Sequence, residues 1–132
     1  MNSMGQADNL AYVVDDDVSN ANLVSRTLES QGYKCKSFYS GTPMLEEVKA
    51  DHPDLIILDV MMAGMAGVTV ASRVRSFSSV RIMMLSVQSD SNIKAMALDV
   101  RVDDYLTKPF DPEDLMARVR VILRRSVPYQ NA

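Results

Sequence analysis

The stretch Pro53-Asp54-Leu55-Ile56-Ile57-Leu58-Asp59-Val60-Met61-Met62-Ala63-Gly64-Met65 decides the fold. Its four consecutive apolar residues, Leu55 to Leu58, run straight into a carboxylate and then into a loop that contains glycine. A short unbroken apolar run bounded by turn signals reads as a strand buried on both faces, typical of a parallel sheet. In open parallel sheets the functional groups sit just beyond the carboxyl ends of the strands, and Asp59 stands there. Three other apolar runs end in the same way. Leu10 to Val14 runs into Asp15, Asp16 and Asp17; Val80 to Leu85 runs into Ser86; Asp103 to Thr107 runs into Lys108-Pro109. Four parallel strands would bring acids, a hydroxyl and an amine to one edge of one sheet.

The segments between these runs carry helical periodicity. Val18, Ala21, Leu23, Val24 and Leu28 predict a first helix over 18–31 that closes at Gly32. Tyr33 to Phe38 alternates apolar and polar residues, as a strand at a sheet edge does. Thr42-Pro43 predicts the start of the second helix, an N-cap hydroxyl followed by proline at the first helical position, and His52-Pro53 stops it. A third helix follows Gly67 and ends near Ser76; a fourth spans about 91–100; Asp111-Pro112-Glu113 starts the last, with acids at its positive end. Leu115, Met116, Val119, Ile122 and Leu123 give that helix its inner face, and Arg124-Arg125 complement its negative end. The pattern is five βα units. Right-handed crossovers then place helices on both faces of a five-stranded parallel sheet.

At 132 residues the chain fits one domain with a sizeable core. A formal net charge of −3 offers no basic excess, so the domain is not expected to bind nucleic acid itself. No apolar run approaches ~20 residues, the length of a membrane-crossing helix, and Met1 to Gln6 lacks a signal pattern. No membrane association is therefore expected, and a cytoplasmic location is. Cys35, the single cysteine, has no partner for an internal disulfide and reads as a small half-buried side chain rather than a redox group. His52, the single histidine, reads as a surface or capping residue far from the acidic edge, and the ten methionines read as core filling.

Asp15, Asp16 and Asp59 should be neighbours, because strands one and three adjoin at a switch point. Three carboxylates brought together repel one another unless a cation sits among them, and an oxygen-only cluster with room for waters favours Mg²⁺. Lys108 adds a positive point charge and Ser86 a hydroxyl. A carboxylate, a divalent cation, an ammonium and a hydroxyl at one spot are what phosphoryl transfer needs. In the bland alternative Asp15 to Asp17 form a turn or cap and Lys108 merely neutralises them, but four separate strand ends would then converge by chance.

On these pieces the chain resembles the receiver domain of two-component response regulators across about residues 9–125. They are Val13-Val14-Asp15-Asp16-Asp17, Leu55 to Met62, Met84-Leu85-Ser86, and Asp103-Asp104-Tyr105-Leu106-Thr107-Lys108-Pro109-Phe110. Each is weak alone; in this order and spacing they are highly specific. The resemblance implies a flavodoxin-like (βα)5 three-layer sandwich with strand order 2-1-3-4-5. It makes Asp59 the acceptor of a phosphoryl group from a sensor histidine kinase, in a Mg²⁺-dependent reaction that the domain itself catalyses, with slow dephosphorylation. Asp16 would ligate Mg²⁺ directly, Asp15 through water and Met61 through its backbone carbonyl. Lys108 would pair with Asp59 and then with the phosphoryl group, across a cis Lys108–Pro109 bond. Ser86 and Tyr105 match the switch pair. Kinase docking is implied on the first helix, at Ser19, Asn20, Leu23 and Arg26.

The chain departs from the family pattern at four places. Ala63 stands where proline is common, Ala66 where an acid is common, Val87 where alanine usually follows the switch hydroxyl, and Arg101 where glycine is frequent. None of these removes a catalytic group; they bear on rate and loop geometry. The last helix also resembles the winged-helix transcription-factor branch, whose members dimerise through helix 4, strand 5 and helix 5. Lys94, Asp103 and Asp104 facing Asp114, Arg118 and Arg120 match that face in part, against the plainer reading of a solvated polar surface. Residues 1–8 are expected to be flexible, and 126–132 to be a tail or the start of a linker to a downstream effector domain. A phosphorylation-independent pseudo-receiver is the competing reading, but it would lack Asp16, Asp59 or Lys108. An aspartyl phosphatase resembling the haloacid dehalogenases would need a second Asp at position 61, which is Met. A nucleotide-binding fold would need a glycine-rich phosphate loop after strand one, and none is there.

Overall fold

The computed structural model of the protein describes residues 9–87 and 91–124. The expected flexible lead over 1–8, Gln88, Arg125 and the tail over 126–132 lie outside the described residues. Ten elements alternate: β1 (Leu10–Val14), α1 (Val18–Glu29), β2 (Lys34–Phe38), α2 (Gly41–Asp51), β3 (Leu55–Asp59), α3 (Gly67–Arg75), β4 (Arg81–Ser86), α4 (Ser91–Asp99), β5 (Asp104–Thr107) and α5 (Pro112–Arg124). The strands form one parallel sheet in the order β2-β1-β3-β4-β5. The chain reverses its direction of progress between β1 and β3, the switch point at which such sheets place their sites.

Strand periodicity divides the core in two. Ala11, Val13, Leu55, Ile57, Met83 and Leu85 face α1 and α5, where Val24, Leu28, Leu115, Val119 and Ile122 cover them. Their neighbours Tyr12, Val14, Ile56, Leu58, Ile82 and Met84 face α2, α3 and α4. Successive side chains of a strand point to opposite faces, so β3, buried at every position, serves both layers. Each large aliphatic side chain so buried is worth about 1.5–3 kcal/mol. Tyr12 is fully buried, and its hydroxyl donates to Asp51 Oδ2 at 2.7 Å, which Lys36 also pairs at 2.8 Å. β2 alternates exposed and half-buried residues, as an edge strand should.

Several boundaries differ from expectation. α2 begins at Gly41 with Ser40 at its N-cap and no side-chain cap bond, not at Thr42-Pro43. Packing decides this start: a Cβ on Gly41 would lie 2.6 Å from Val70 Cγ2 of α3, so only glycine lets the first turn of α2 approach so closely. Proline remains tolerable in that turn because its missing N–H has no helical acceptor there. α1 closes at Glu29 with Ser30 as its C-cap, short of Gln31. β5 covers Asp104–Thr107 and leaves out Asp103, whose carboxylate pairs with Arg75 and Arg81. His52 caps α2 in the left-handed conformation (φ 54°), as expected of a capping residue. Cys35 is half-buried with its thiol pushed up to about 12, by burial first and then by the Glu29 charge. It is a structural thiol, since the thiolate is the reactive form.

Candidate functional site

The carboxyl ends of β1 and β3 place Asp15 and Asp59 side by side, and the loop after β1 adds Asp16. One oxygen from each of the three lies within 4.8 Å of the others. Asp15 and Asp59 are buried, Asp16 exposed. Lys108, delivered by the end of β5, reaches both buried acids: its Nζ lies 3.1 Å from Asp15 Oδ2 and 3.0 Å from Asp59 Oδ1. Lys108 N–H donates to the Ser86 carbonyl at 2.7 Å, which locks that loop to the end of β4. The Lys108–Pro109 peptide is cis, as expected.

Burial raises the Asp59 carboxyl above its ordinary value, and the charges of Asp15 and Asp16 add to this, while the Lys108 hydrogen bond opposes it. Burial alone would lower the Lys108 ammonium. The hydrogen bond to Asp59 and the charges of Asp15 and Asp59 outweigh burial and hold it above its ordinary value. A low-dielectric setting strengthens both the repulsion among the acids and their attraction to the lysine. One ammonium facing three carboxylates leaves the cluster short of positive charge. All donors at its centre are hard oxygens, the set that suits Mg²⁺.

The remaining local structure serves this arrangement. Asp17 is the N-cap of α1, its Oδ1 accepting from the Ser19 and Asn20 N–H groups at 2.9 and 3.2 Å, so the third acid of the run caps rather than joins the cluster. Asp15 Oδ1 accepts from Asp17 N–H at 2.9 Å, which fixes the turn between them. Asp16 Oδ2 accepts from Ala63 N–H at 2.8 Å, tying the loop after β1 to the loop after β3. Gly64 turns that second loop at φ 82°. Gly67 returns it to the sheet, donating its N–H to the Val60 carbonyl at 2.9 Å and packing so closely that a Cβ there would lie 2.2 Å from the Asp59 carbonyl oxygen.

Ser86 is fully buried at the end of β4. Val87, next to it, is 64% exposed, and the Met61 side chain is also largely exposed. Tyr105 is half-buried against the α2–α4 core layer, with Lys94 Nζ 5.9 Å from its ring centre. Ser19, Leu23 and Arg26 lie on the exposed side of α1, with Asn20 at its border. On the face of α4, β5 and α5, Arg118 pairs within the molecule with Asp104 at 3.0 Å and Asp114 at 3.0 Å, while Arg120 is exposed. Asp103 lines the same hollow as Lys94 and Asp104 but has other ion-pair partners than Arg118. It accepts from Arg81 at 2.9 Å, Arg75 at 3.4 Å and the Ile82 N–H at 2.8 Å, at the opposite end of β5 from Lys108.

Sequence reading missed Arg75, whose guanidinium spans the Val80, Ser78 and Arg101 carbonyls as well as Asp103. Nothing local marks such a residue, because its partners come from two separate loops, the one before β4 and the one before β5. Gly67 carried a weak signal, a glycine at a helix start eight residues past Asp59, but the close approach that requires it is tertiary.

The sequence model of the response regulator receiver domain family matches residues 11–120. Transcriptional regulatory protein CseB of Streptomyces coelicolor is 39% identical over 122 residues, which cover 92% of this chain and 52% of that protein. DNA-binding response regulator MtrA of Mycobacterium tuberculosis is 40% identical over 114 residues, covering 86% of this chain and 50% of that protein. The chain thus spans about half the length of the curated relatives it matches. Among solved structures, response regulator DrrB of Thermotoga maritima, described as an OmpR/PhoB homolog, superposes with a TM-score of 0.81 at 30% identity, over 89% of this chain and 53% of that one. With the acidic pocket built as the geometry describes and the family sequence spanning the whole sheet, this chain belongs to the response regulator receiver domain family.

Proposed function

We propose that Asp59 is the phosphoacceptor and that the protein takes its phosphoryl group from the phosphohistidine of a sensor kinase. The observation that carries this is Lys108 Nζ bridging Asp59 Oδ1 and Asp15 Oδ2 within a cluster of three carboxylates at the strand ends. Lys108 holds one oxygen of Asp59; the other has no donor among the described residues and is the nucleophile. It attacks phosphorus, the P–N bond to the donor imidazole breaks, and the imidazole leaves with the bonding pair and takes up a proton. Lys108 stays within reach of the transferred group and balances its charge, as electrostatic stabilisation in phosphoryl transfer requires.

The hard-oxygen set of Asp15, Asp16 and Asp59, with the Met61 carbonyl, would hold Mg²⁺. When bound, the ion supplies the positive charge that one lysine cannot. Mg²⁺ held by few carboxylates and several waters is bound weakly, so Asp16→Ala, which removes a direct ligand, should weaken binding more than Asp15→Ala. The domain thereby catalyses its own phosphorylation and its slow dephosphorylation. The Ser86 hydroxyl then moves onto the phosphoryl oxygen and the Tyr105 ring follows inward, which alters the face of α4, β5 and α5. That face is read as a homodimer surface built on Lys94, Asp103, Asp104, Asp114, Arg118 and Arg120. Arg75 and Arg81 hold the Asp103 carboxylate in place. The output is a DNA-binding effector domain, in line with the names of the DNA-binding and transcriptional relatives, and the last helix favours the winged-helix branch; the place of action is the cytoplasm. Among the described residues no helix is long and apolar enough to cross a membrane.

Kinase choice rests on Ser19, Asn20, Leu23 and Arg26, because an exposed leucine on the helix beside the acidic pocket, with Val18 also exposed there, suits a partner helix. Grafting the four into another receiver should redirect its kinase, and unchanged specificity would remove this assignment. Acetyl phosphate with Mg²⁺ should add one phosphate to the protein, and Asp59→Asn should abolish the addition. Labelling that persists in Asp59→Asn would place the acceptor elsewhere.

A further inference from the structure

Asp16 differs from the other two acids of the cluster in what holds it. Lys108 contacts Asp15 and Asp59 but not Asp16. Asp16 is exposed, and its one protein donor among the described residues is the backbone N–H of Ala63, 2.8 Å from Oδ2. An exposed carboxylate with no donor samples several rotamers, and ordering it on a cation costs that freedom. We infer that the Ala63 amide is a positioning group for Asp16: it fixes the plane of the carboxylate before any cation arrives, and it joins the loop after β1 to the loop after β3. The second loop can serve as an anchor because it is itself constrained. Gly64 turns it at φ 82°, and the Gly67 N–H bond to the Val60 carbonyl closes it. Position 63 is where the family pattern commonly carries proline, which has no N–H to give. This chain therefore holds Asp16 by a contact that such a proline could not make.

The inference rests on Asp16 being a Mg²⁺ ligand, as proposed above. Groups that orient a metal ligand typically change metal affinity by about 10–100-fold when removed. Ala63→Pro deletes the donor, while Ala63→Val keeps it and adds bulk at an exposed position. Titration calorimetry with Mg²⁺ on the full chain should show Ala63→Val within about twofold of the unmodified protein and Ala63→Pro weaker by about tenfold. A merely structural role would weaken both alike, which would overturn the inference, as would Ala63→Pro binding as tightly as the parent. Absence of binding by the unmodified protein would overturn the reading of the metal site and this inference with it. A second measurement needs neither metal nor a folded proline variant: amide hydrogen exchange at Ala63 in Mg²⁺-free protein. The amide should be protected there, with protection lost in Asp16→Ala. Exchange at the rate of an unprotected loop amide in the parent would equally overturn the inference.

Discussion

Gly67→Ala tests the packing that holds the acceptor strand in register with its loop. A Cβ at this position would lie 2.2 Å from the Asp59 carbonyl oxygen and 2.8 Å from Val60 Cα, both backbone atoms that no rotamer change can move aside. Restoring ordinary contact requires the start of α3 and the end of β3 to separate by about 1 Å. Inserting a methyl into so tight a contact costs about 1–3 kcal/mol, and more when backbone must shift. Alanine recovers up to about 1 kcal/mol over glycine through helix propensity, less at a first helical position. The net expectation is a loss of about 2 kcal/mol, or roughly 8 °C in melting temperature for a domain of this size. Because the displaced atoms include the backbone of Asp59, phosphorylation by acetyl phosphate should slow by about tenfold or more, as a reacting group misplaced by 1 Å does. Thermal melting by circular dichroism reads the first effect and the rate of labelling the second. A variant that melts with the parent and labels at the parental rate would refute the claim that this glycine sets the acceptor's position.

Asp103→Ala should cost about 3 kcal/mol, because it removes the carboxylate that faces Arg75 and Arg81, both largely buried, and accepts from the Ile82 amide. Asp104→Ala, whose partner Arg118 is 39% exposed, should cost under about 1 kcal/mol, and equal losses in urea unfolding would contradict the burial argument. Val87→Ala should speed labelling by acetyl phosphate several-fold with Mg²⁺ affinity unchanged, since it trims a stiff branched side chain next to Ser86; an unchanged rate would show that the pocket is not sterically gated there. Arg101 adopts a left-handed conformation (φ 60°) that costs a side-chain-bearing residue about 1–2 kcal/mol, so Arg101→Gly should stabilise the protein, and a lower melting temperature would refute this.

How far the sequence carries depends on the range of the interactions involved. The βα alternation, the burial of Leu55 to Leu58 and the convergence of Asp15, Asp16, Asp59, Ser86 and Lys108 on one edge were legible because strand periodicity and strand ends are local signals, and parallel topology makes all strand ends coincide. The capping role of His52 and the edge character of β2 were legible for the same reason. The start of α2 was not, because Gly41 is chosen by its contact with Val70, 29 positions later in the chain. Nor was the fate of Asp103 and Asp104: two adjacent acids read alike in sequence, yet Asp103, just before β5, pairs with Arg75 and Arg81, while Asp104, its first residue, pairs with Arg118. Which oxygen of which acid receives which donor, the Ala63 amide on Asp16 included, depends on how two loops lie across each other. Residue order determines where a carboxylate falls along the chain; only the packed sheet determines its partners, because Arg118 for Asp104, Ala63 for Asp16 and Lys108 for Asp15 arrive from 14 to 93 positions away.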